Sequence, residues 1–310
     1  MDSFSEIIVS AVDKVKNAVV KIDKYISFRE KERISGSGSG FVFSSDGLIL
    51  TNAHVIENAG KLDVTLLDGN RFTGEVTGID KDTDIAIIKI FGTGYTPAKL
   101  GASNDLKIGQ LVIAIGNPLG YQHSVSIGVL SGTGRTMRSP DGHLIDDILQ
   151  SDAAMNPGNS GGPMIDTNGK VIGINTAIIP GTQGLSFSIG IDTVKEIARY
   201  LIKDGKVIKA YLGLIVNEIE IHPRIKNFYR LVSKKGILIT GLENSSPAAR
   251  ANLREGDIIV EFDGGIITSS GDLTKHLIGG GLIFKPTRIK VLRQTRILEL
   301  DIFPIERPAA

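Results

Sequence analysis

Between about residues 34 and 190, short apolar runs alternate with turns rich in Gly, Asn, Asp and Pro, and this rhythm constrains the fold most strongly. The runs include FVF, GLIL, DVTLL, DIAIIKI, QLVIAIG, SVSIGVL, KVIGINTAII and LSFSIGI. Many short strands in succession, each bounded by turn residues, favour an antiparallel β-barrel or sandwich. The 37 glycines of this 310-residue chain are typical of a β-rich fold with many tight turns.

A helical pattern lies on each side of this region. Apolar residues between positions 5 and 20 recur at helical spacing, which predicts a short amphipathic helix leading into a strand. At the other end, Thr193 and Glu196 predict a capping box, and Gly205 marks the end of the helix. The predicted organisation has three parts: an N-terminal segment at 1–33, a barrel domain at 34–207 and a compact α+β module at 208–310.

The composition describes a globular protein and excludes several kinds of chemistry. With no cysteine, the chain has no thiol nucleophile, disulfide or thiolate metal site. A formal net charge of +1 gives no electrostatic reason to expect nucleic acid as a partner. We see no signal peptide and no membrane-spanning segment. The sequence leaves the location open: cytoplasmic, or extracytoplasmic if the sequence is trimmed.

The segment GNSGG, residues 158–162, places one serine among glycines. A serine nucleophile needs a base and a third group that orients the base. The segment fits the G-x-S-x-G elbow of α/β-hydrolases, in which the histidine follows the serine. Of the five histidines, only His222 and His276 follow Ser160, and both lie in the C-terminal module. We therefore reject the elbow interpretation.

The opposite order, histidine then aspartate then serine, occurs on β-barrel scaffolds. His54 follows the predicted strand GLIL, and Asp84 is the aspartate closest to the apolar strand IAIIKI. A buried carboxylate needs a hydrogen-bond partner, and an imidazole N–H can supply it. Taken alone, the histidine could be structural and the aspartate could cap a turn. Together with Ser160 in the right order, they predict a catalytic triad.

Glycine has a specific use two residues before the serine. The tetrahedral intermediate of acyl transfer carries an oxyanion that needs preorganised N–H donors. In barrel-type enzymes the donors belong to the nucleophile and to the residue two before it, which here are Ser160 and Gly158. The alternative is a glycine-rich turn without a catalytic role.

A second glycine-rich stretch, SGSGSGF at 35–41, could be mistaken for a phosphate-binding loop. It lacks the Gly-Lys-Ser/Thr ending and the following helix of a P-loop. We predict that it forms a turn of the barrel. No spacing of His, Asp and Glu indicates a metal site, so neither a metal nor another cofactor is expected.

These motifs resemble the active-site blocks of the HtrA (Deg) family of serine proteases: TNAHVI (51–56), TDIAIIKI (83–90) and SDAAMNPGNSGGPM (151–164). The C-terminal module resembles a PDZ domain, with YLGL at 211–214 and GILITGLENSSPAARANLREGDIIVEFDG at 236–264. The resemblance implies a mostly β fold. It has a chymotrypsin-like double antiparallel β-barrel protease domain followed by an α+β PDZ domain.

The resemblance also implies roles for individual residues. His54 would be the general base, Asp84 its orienting carboxylate and Ser160 the nucleophile, with the N–H groups of Gly158 and Ser160 as the oxyanion hole. Asn159 stands where relatives activated by zymogen cleavage have Asp, so loop ordering is the expected means of regulation. Further residues carried over from the family are the substrate-binding strand Ile174, Asn175, Thr176 and Ala177, the regulatory Arg135, and the PDZ peptide-binding loop Tyr211, Leu212, Gly213 and Leu214.

The implied function is an ATP-independent serine endopeptidase that cleaves unfolded or misfolded polypeptides through an acyl-enzyme. The PDZ domain would bind peptide C-termini. The alternative is a protease-fold chaperone or peptide-binding protein with little turnover. The family also forms homotrimers through its N-terminal segment, to which Phe4 and the stretch 5–20 could contribute. Otherwise this helix packs on its own barrel.

Overall fold

A computed structural model describes residues 1–28, 31–117, 124–138, 144–156, 158–178 and 184–306. The chain forms two compact units. The first contains Met1–Thr133 and Ile148–Lys206, and the second contains Gly134–Asp147 and Val207–Ala310. The second unit thus includes a segment that the sequence analysis assigned to the barrel domain. No helix in the described ranges is long and apolar enough to cross a membrane.

The N-terminal half of the first unit is a closed antiparallel barrel. Its elements are α1 (Ser3–Asp13), β1 (Val19–Phe28), β2 (Lys31–Val42), β3 (Leu48–Thr51), α2 (Ala53–Ile56), β4 (Lys61–Thr65), β5 (Arg71–Asp80) and β6 (Ile85–Lys89). Among the described residues the strands close in the order β1-β2-β3-β6-β5-β4. Fully buried side chains such as Ile22, Ile49 and Ile88 fill the interior. The predicted helix leading into a strand is confirmed by α1 and β1.

The glycine-rich stretch 35–41 is part of strand β2, so the predicted barrel turn is wrong. It pairs with β1 from Gly36 to Phe41, and the register shifts at Ser35. A Cβ on Gly38 would lie 2.7 Å from a methyl group of Val55, and one on Gly40 would lie 2.9 Å from Ile22 and Ile49. At these two positions glycine therefore allows the strand to pack closely against the barrel interior.

The second half of the first unit is another antiparallel barrel, followed by a helix. Its elements are β7 (Leu111–Gly116), β8 (Ser124–Arg138), β9 (Leu144–Ser151), β10 (Pro163–Ile165), β11 (Val171–Ile178), β12 (Ser186–Gly190) and α3 (Ile191–Asp204). The end of β8 and the beginning of β9 belong to the Gly134–Asp147 segment of the second unit. In the described part of the chain, pairing in the order β8-β7-β10-β11-β12-β9 and between β8 and β9 closes this barrel. The predicted double barrel is confirmed.

Helix α3 ends at its predicted residue but begins earlier than predicted. Gly205 terminates the helix in a left-handed conformation (φ 70°), as expected. The helix begins at Ile191, directly after β12, so Thr193 lies inside it and the predicted capping box is wrong. Instead, the first turn is anchored to a preceding loop, because Asp192 accepts hydrogen bonds from the N–H groups of Ser103 (2.9 Å) and Asn104 (3.1 Å).

The second unit is an α+β module, as predicted. After residue 206 its elements are β13 (Ala210–Tyr211), β14 (Leu214–Glu220), α4 (Pro223–Tyr229), β15 (Lys235–Leu242), α5 (Pro247–Arg250), β16 (Ile258–Phe262), β17 (Gly265–Ile266), α6 (Ser270–Leu277), β18 (Thr287–Arg293), β19 (Arg296–Ile302) and β20 (Ile305–Glu306). Strands β14, β15, β16, β18 and β19 are neighbours in one antiparallel sheet. Ile237, Ile259, Phe262 and Ile289 are fully buried and belong to one core cluster.

Candidate active site

His54 lies on the one-turn helix α2, directly after strand β3. The flanking side chains of Ala53, Val55 and Ile56 are buried in the first barrel. The His54 side chain is 45% exposed, so it points away from that core. Local packing therefore directs the imidazole outward while its backbone stays anchored.

The Asp84 carboxylate bonds to two separate groups of His54, the imidazole and the backbone N–H. The His54 Nδ1 atom lies 2.9 and 2.8 Å from the two carboxylate oxygens, and the His54 backbone N–H donates to Oδ1 at 3.0 Å. A carboxylate can only accept, so the proton resides on Nδ1 and Nε2 is left as the basic nitrogen. Asp84 has a left-handed backbone (φ 55°), and its carbonyl accepts from the Asn52 side chain at 2.9 Å.

Thr176 of strand β11 completes the surroundings of the Asp84 carboxylate. Its hydroxyl donates to Oδ2 at 2.6 Å, and both residues are buried. Thr176 lies where the pairing of β11 with β12 becomes irregular, between Asn175 and Ala177. Thr176 is predicted from the sequence to bind substrate, whereas its side-chain contact with Asp84 has no sequence signal because the two residues are far apart in the chain.

Ser160 reaches the same threonine from the loop between β9 and β10. The Ser160 hydroxyl donates to the Thr176 carbonyl at 3.1 Å. A hydroxyl has one proton to donate, so this bond leaves Ser160 no proton to donate to the His54 imidazole. The three predicted residues, His54, Asp84 and Ser160, are thus linked through the two polar groups of Thr176.

The amides predicted as the oxyanion hole are available as donors. Within the described residues, the N–H groups of Gly158 and Ser160 have no hydrogen-bond acceptor. Gly158 has a φ of +96°, which an L-residue rarely adopts. The neighbouring amides are occupied, because Asn159 donates to Asn156 (3.0 Å) and Gly161 donates to Asn175 (2.8 Å). Among these described residues, the Gly158 and Ser160 amides are therefore free, whereas the Asn159 and Gly161 amides are hydrogen-bonded.

The side chains of Ile174 and Asn175 are fully buried. Asn175 donates to the carbonyls of Ile115 (3.3 Å) and Pro163 (3.1 Å) and accepts from Ser188 (3.1 Å). The side chains of Ile174 and Asn175 are therefore closed to a substrate, so a substrate-binding role of these two residues would rest on their backbone. The side chain of Ala177 lies outside the described residues, while its backbone pairs with Phe187 of β12.

The loop Tyr211–Leu214 precedes the first long strand of the second unit. The carbonyls of Leu212 and Gly213 accept from the N–H groups of Ala248 and Glu243, each at 3.0 Å. Gly213 has a φ of +74°, and a Cβ there would lie 2.3 Å from the Cβ of Ser246. The position therefore requires glycine.

Arg135 also belongs to the second unit and is exposed. Its backbone pairs with Asn217 of β14, and the neighbouring Thr136 hydroxyl donates to the Val216 carbonyl at 3.0 Å. Strand β14 follows the Tyr211–Leu214 loop directly. The predicted regulatory residue and the predicted peptide-binding loop are thus connected through one strand.

Two family models match the chain. Residues 38–174 match the trypsin-like peptidase domain, and residues 189–303 match the PDZ domain. The fold and the His54–Asp84–Ser160 arrangement agree with the first, and the α+β module agrees with the second. The chain is therefore a trypsin-like peptidase domain joined to a PDZ domain.

Curated relatives and solved structures narrow the class to one family. The chain is 39% identical to the serine protease HhoA of Synechocystis over 283 residues, which are 88% of this chain and 71% of that protein. It is 38% identical to a DegP-like periplasmic serine endoprotease of Chlamydia trachomatis, covering 90% of this chain but only 56% of that protein. The chain thus spans about half the length of several relatives that it matches.

The solved structure of the HtrA-type protease AlgW with a tripeptide is 31% identical, with a TM-score of 0.71, and covers 97% of this chain and 98% of that chain. The serine endoprotease from Yersinia pestis is 29% identical, with a TM-score of 0.63, over 97% and 98% of the two chains. The chain belongs to the HtrA (Deg) family of serine proteases.

Proposed function

We propose that this chain is an ATP-independent serine endopeptidase that cleaves unfolded or misfolded polypeptides. The observation that carries the proposal is the Asp84 carboxylate on Nδ1 of His54, because it leaves Nε2 as the basic nitrogen, and the same carboxylate is linked to Ser160 through Thr176. The two unoccupied amides at Gly158 and Ser160 support it, since they are the donors that an acyl-transfer oxyanion needs.

The reaction begins when Ser160 Oγ attacks the scissile carbonyl and His54 Nε2 takes its proton. Asp84 stabilises the imidazolium that forms, and the Gly158 and Ser160 N–H groups bind the oxyanion. The imidazolium then protonates the leaving amine, and water hydrolyses the acyl-enzyme by the same steps. Before the attack, the Ser160 hydroxyl must turn from the Thr176 carbonyl towards His54. An extended substrate that donates an N–H to that carbonyl replaces the hydroxyl there.

In the second unit, the loop Tyr211–Leu214 is proposed to bind the C-terminal carboxylate of a peptide through backbone N–H groups. The peptide then adds a strand beside β14, a common mode of peptide recognition, and it takes the place of Arg135 and Thr136 at that edge. AlgW has been solved with a tripeptide and with a decapeptide, which makes peptide binding a reasonable extension to this chain. Arg135, paired with Asn217 of β14, is proposed to transmit this binding to the catalytic loop.

The test is degradation of casein by the wild-type chain and by Ser160→Ala. We expect degradation by the wild type and none by the variant. Ser103→Ala is the matched control, because Ser103 is a buried serine that bonds to Asp192 at the start of α3. Equal degradation by wild type and Ser160→Ala would refute the assignment. If neither degrades casein but both suppress client aggregation, the chaperone with little turnover is the correct function.

Helix α1 is proposed to contribute to a homotrimer. Its Ile8 and Ala11 side chains are buried, whereas Phe4 and Ile7 are 52% and 47% exposed. This second apolar face supports association. Phe4→Glu combined with Ile7→Glu leaves the buried face intact, so sedimentation velocity should show a smaller species than the wild type. An unchanged mass would mean that α1 serves its own barrel only.

An extracytoplasmic location is also proposed, because several relatives carry periplasmic in their names. Fractionation of cells that express the natural gene, followed by detection of the chain, tests this. Recovery with cytoplasmic markers would refute it.

A further inference from the structure

Ser39 of strand β2 is a fully buried serine that belongs to none of the predicted catalytic groups. It nevertheless contacts the loop that carries Gly158 and Ser160, more than a hundred residues further along the chain. Its N–H donates to the Ser160 carbonyl at 2.8 Å, and its hydroxyl donates to the Gly158 carbonyl at 2.6 Å. One residue of the first barrel therefore holds the carbonyl of each proposed oxyanion donor.

The direction of the Ser39 hydroxyl is fixed by a third contact. Its oxygen accepts from the Asn117 N–H at 2.7 Å, so its single proton is committed to the Gly158 carbonyl. The Ser39 carbonyl accepts from the Thr51 hydroxyl at 2.7 Å. A Cβ on Gly161 would lie 2.1 Å from that carbonyl, so the serine loop approaches Ser39 as closely as a backbone can.

Hydrogen bonds hold the three successive peptide planes between residues 158 and 161. The plane between residues 158 and 159 is held by Ser39 at its carbonyl and by Asn156 at its N–H. The plane between residues 160 and 161 is held by Ser39 at its carbonyl and by Asn175 at its N–H. In the plane between them, the Asn159 carbonyl accepts from Gly162 at 3.0 Å, which leaves only the Ser160 N–H free.

Of the two proposed oxyanion donors, the Gly158 N–H is the one that is held in place less directly. Within the described residues its orientation depends on the next plane along the chain, which the Ser39 hydroxyl holds. Glycine at a φ of +96° has few steric limits, so this hydrogen bond replaces the restraint that a side chain would give. We infer that Ser39 is a positioning residue that orients the Gly158 N–H towards the oxyanion. The inference rests on the proposed function, because an oxyanion forms only if the chain catalyses acyl transfer.

The first test is Ser39→Ala, assayed with a short peptide substrate. We expect kcat to fall about 10- to 100-fold, as for outer residues that orient a catalytic group, and KM to stay within about twofold. Affinity for a peptide aldehyde, whose serine adduct places an oxyanion at Gly158, should fall by the same factor. Affinity for a non-covalent product peptide should not change, because this ligand has no oxyanion.

The second test measures hydrogen–deuterium exchange of residues 156–162, which needs no activity. Exchange should be faster in Ser39→Ala than in the wild type and unchanged in Ser103→Ala, the matched buried serine. If wild type and Ser160→Ala are equally inactive, the proposed function fails, and exchange still decides whether Ser39 orders the loop.

The inference would be overturned if Ser39→Ala had the same kcat and the same hydrogen–deuterium exchange as the wild type. A rise in KM without a fall in kcat would also overturn it. If the alanine variant does not fold, Ser39→Cys replaces it, since a thiol has a similar shape but is a weak donor. A lowered kcat in the cysteine variant supports the inference, and a wild-type kcat overturns it.

Discussion

His54 and Ser160 reach the candidate site from different barrels, and their side chains are held in different ways. Two groups of His54 bond to the Asp84 carboxylate, and that carboxylate also accepts from Thr176. The Ser160 hydroxyl bonds to the Thr176 carbonyl instead, while its backbone is held by Ser39. The proposed base is therefore oriented before a substrate arrives, whereas the proposed nucleophile must change its hydrogen-bond partner.

The strongest test of this difference is Asp84→Asn. Asparagine tolerates the left-handed backbone at this position, so the fold should persist. Its amide no longer selects the tautomer with the proton on Nδ1, and kcat should fall about 10⁴-fold. Kinetics on a peptide substrate measure this. A loss below about tenfold would mean that the carboxylate does not orient His54 for catalysis.

Gly158→Ala tests the serine side. The φ of +96° strains any L-residue by about 1–3 kcal/mol, so the loop should shift and the Gly158 N–H should move. We expect kcat to fall about 10²- to 10³-fold, as for removal of an oxyanion donor. Gly69→Ala is the matched control, because Gly69 has a φ of +85° with open space around it. The control should lose stability and keep kcat. Equal losses of kcat would attribute the effect to general strain.

Thr176→Val tests the link between the two sides. The substitution keeps the shape of the side chain, removes the hydroxyl that bonds to Asp84 and leaves the backbone carbonyl in place. We expect about a tenfold fall in kcat, the lower end of what outer hydrogen-bond partners contribute. Thr176→Ser retains a hydroxyl and should recover most of the rate. Full activity in the valine variant would show that Asp84 needs no partner other than His54.

The smallest effect is expected for a carboxylate outside the site. Asp272 accepts from the Thr268 and Ser269 N–H groups and from the Thr268 hydroxyl at the start of α6. Asp272→Ala should cost about 1 kcal/mol of stability, as for the loss of a helix cap, and leave kcat unchanged. Thermal denaturation and peptide kinetics check the two parts. A fall in kcat would mean that losing any structural carboxylate disturbs the site.

The pH dependence of this stability follows from the pKa of Asp272. Burial opposes its ionisation, but hydrogen bonds from Thr268 and Ser269 outweigh it and hold the pKa below its ordinary value. The folded pKa is therefore lower than the unfolded one. The stabilisation is present above the unfolded pKa and is lost as pH falls through the folded one. The difference between wild type and Asp272→Ala should accordingly shrink in acid.

The order of His54, Asp84 and Ser160 could be read from the sequence because each follows or precedes a local pattern of strands and turns. The α+β module could be predicted for the same reason, whereas the strand pattern left a barrel or a sandwich open and the double barrel was implied by the resemblance to the HtrA family. The hydroxyl contacts of Thr176 and Ser39 could not, since each joins residues that only the closed barrels bring together. No local pattern distinguishes such a hydroxyl from a surface one.

The two wrong local predictions have a common cause. The sequence SGSGSGF has the composition of a turn, yet its glycines lie in β2 because neighbouring side chains leave no room for a Cβ. Thr193 and Glu196 have the spacing of a capping box, yet α3 starts earlier, at the end of β12. Tertiary packing decided both segments over local propensity.

The double contact of Thr176 has a consequence for how the protein is made. Asp84 belongs to the first barrel, while Ser160 and Thr176 belong to the second, so the bond between Thr176 and Asp84, which completes the double contact, exists only after the two barrels have packed together. A nascent or half-folded copy exposes extended backbone, the kind of material that the finished cleft is proposed to cut. A copy whose barrels have not yet packed together lacks the bond between Thr176 and Asp84, so we do not expect it to digest neighbouring growing chains.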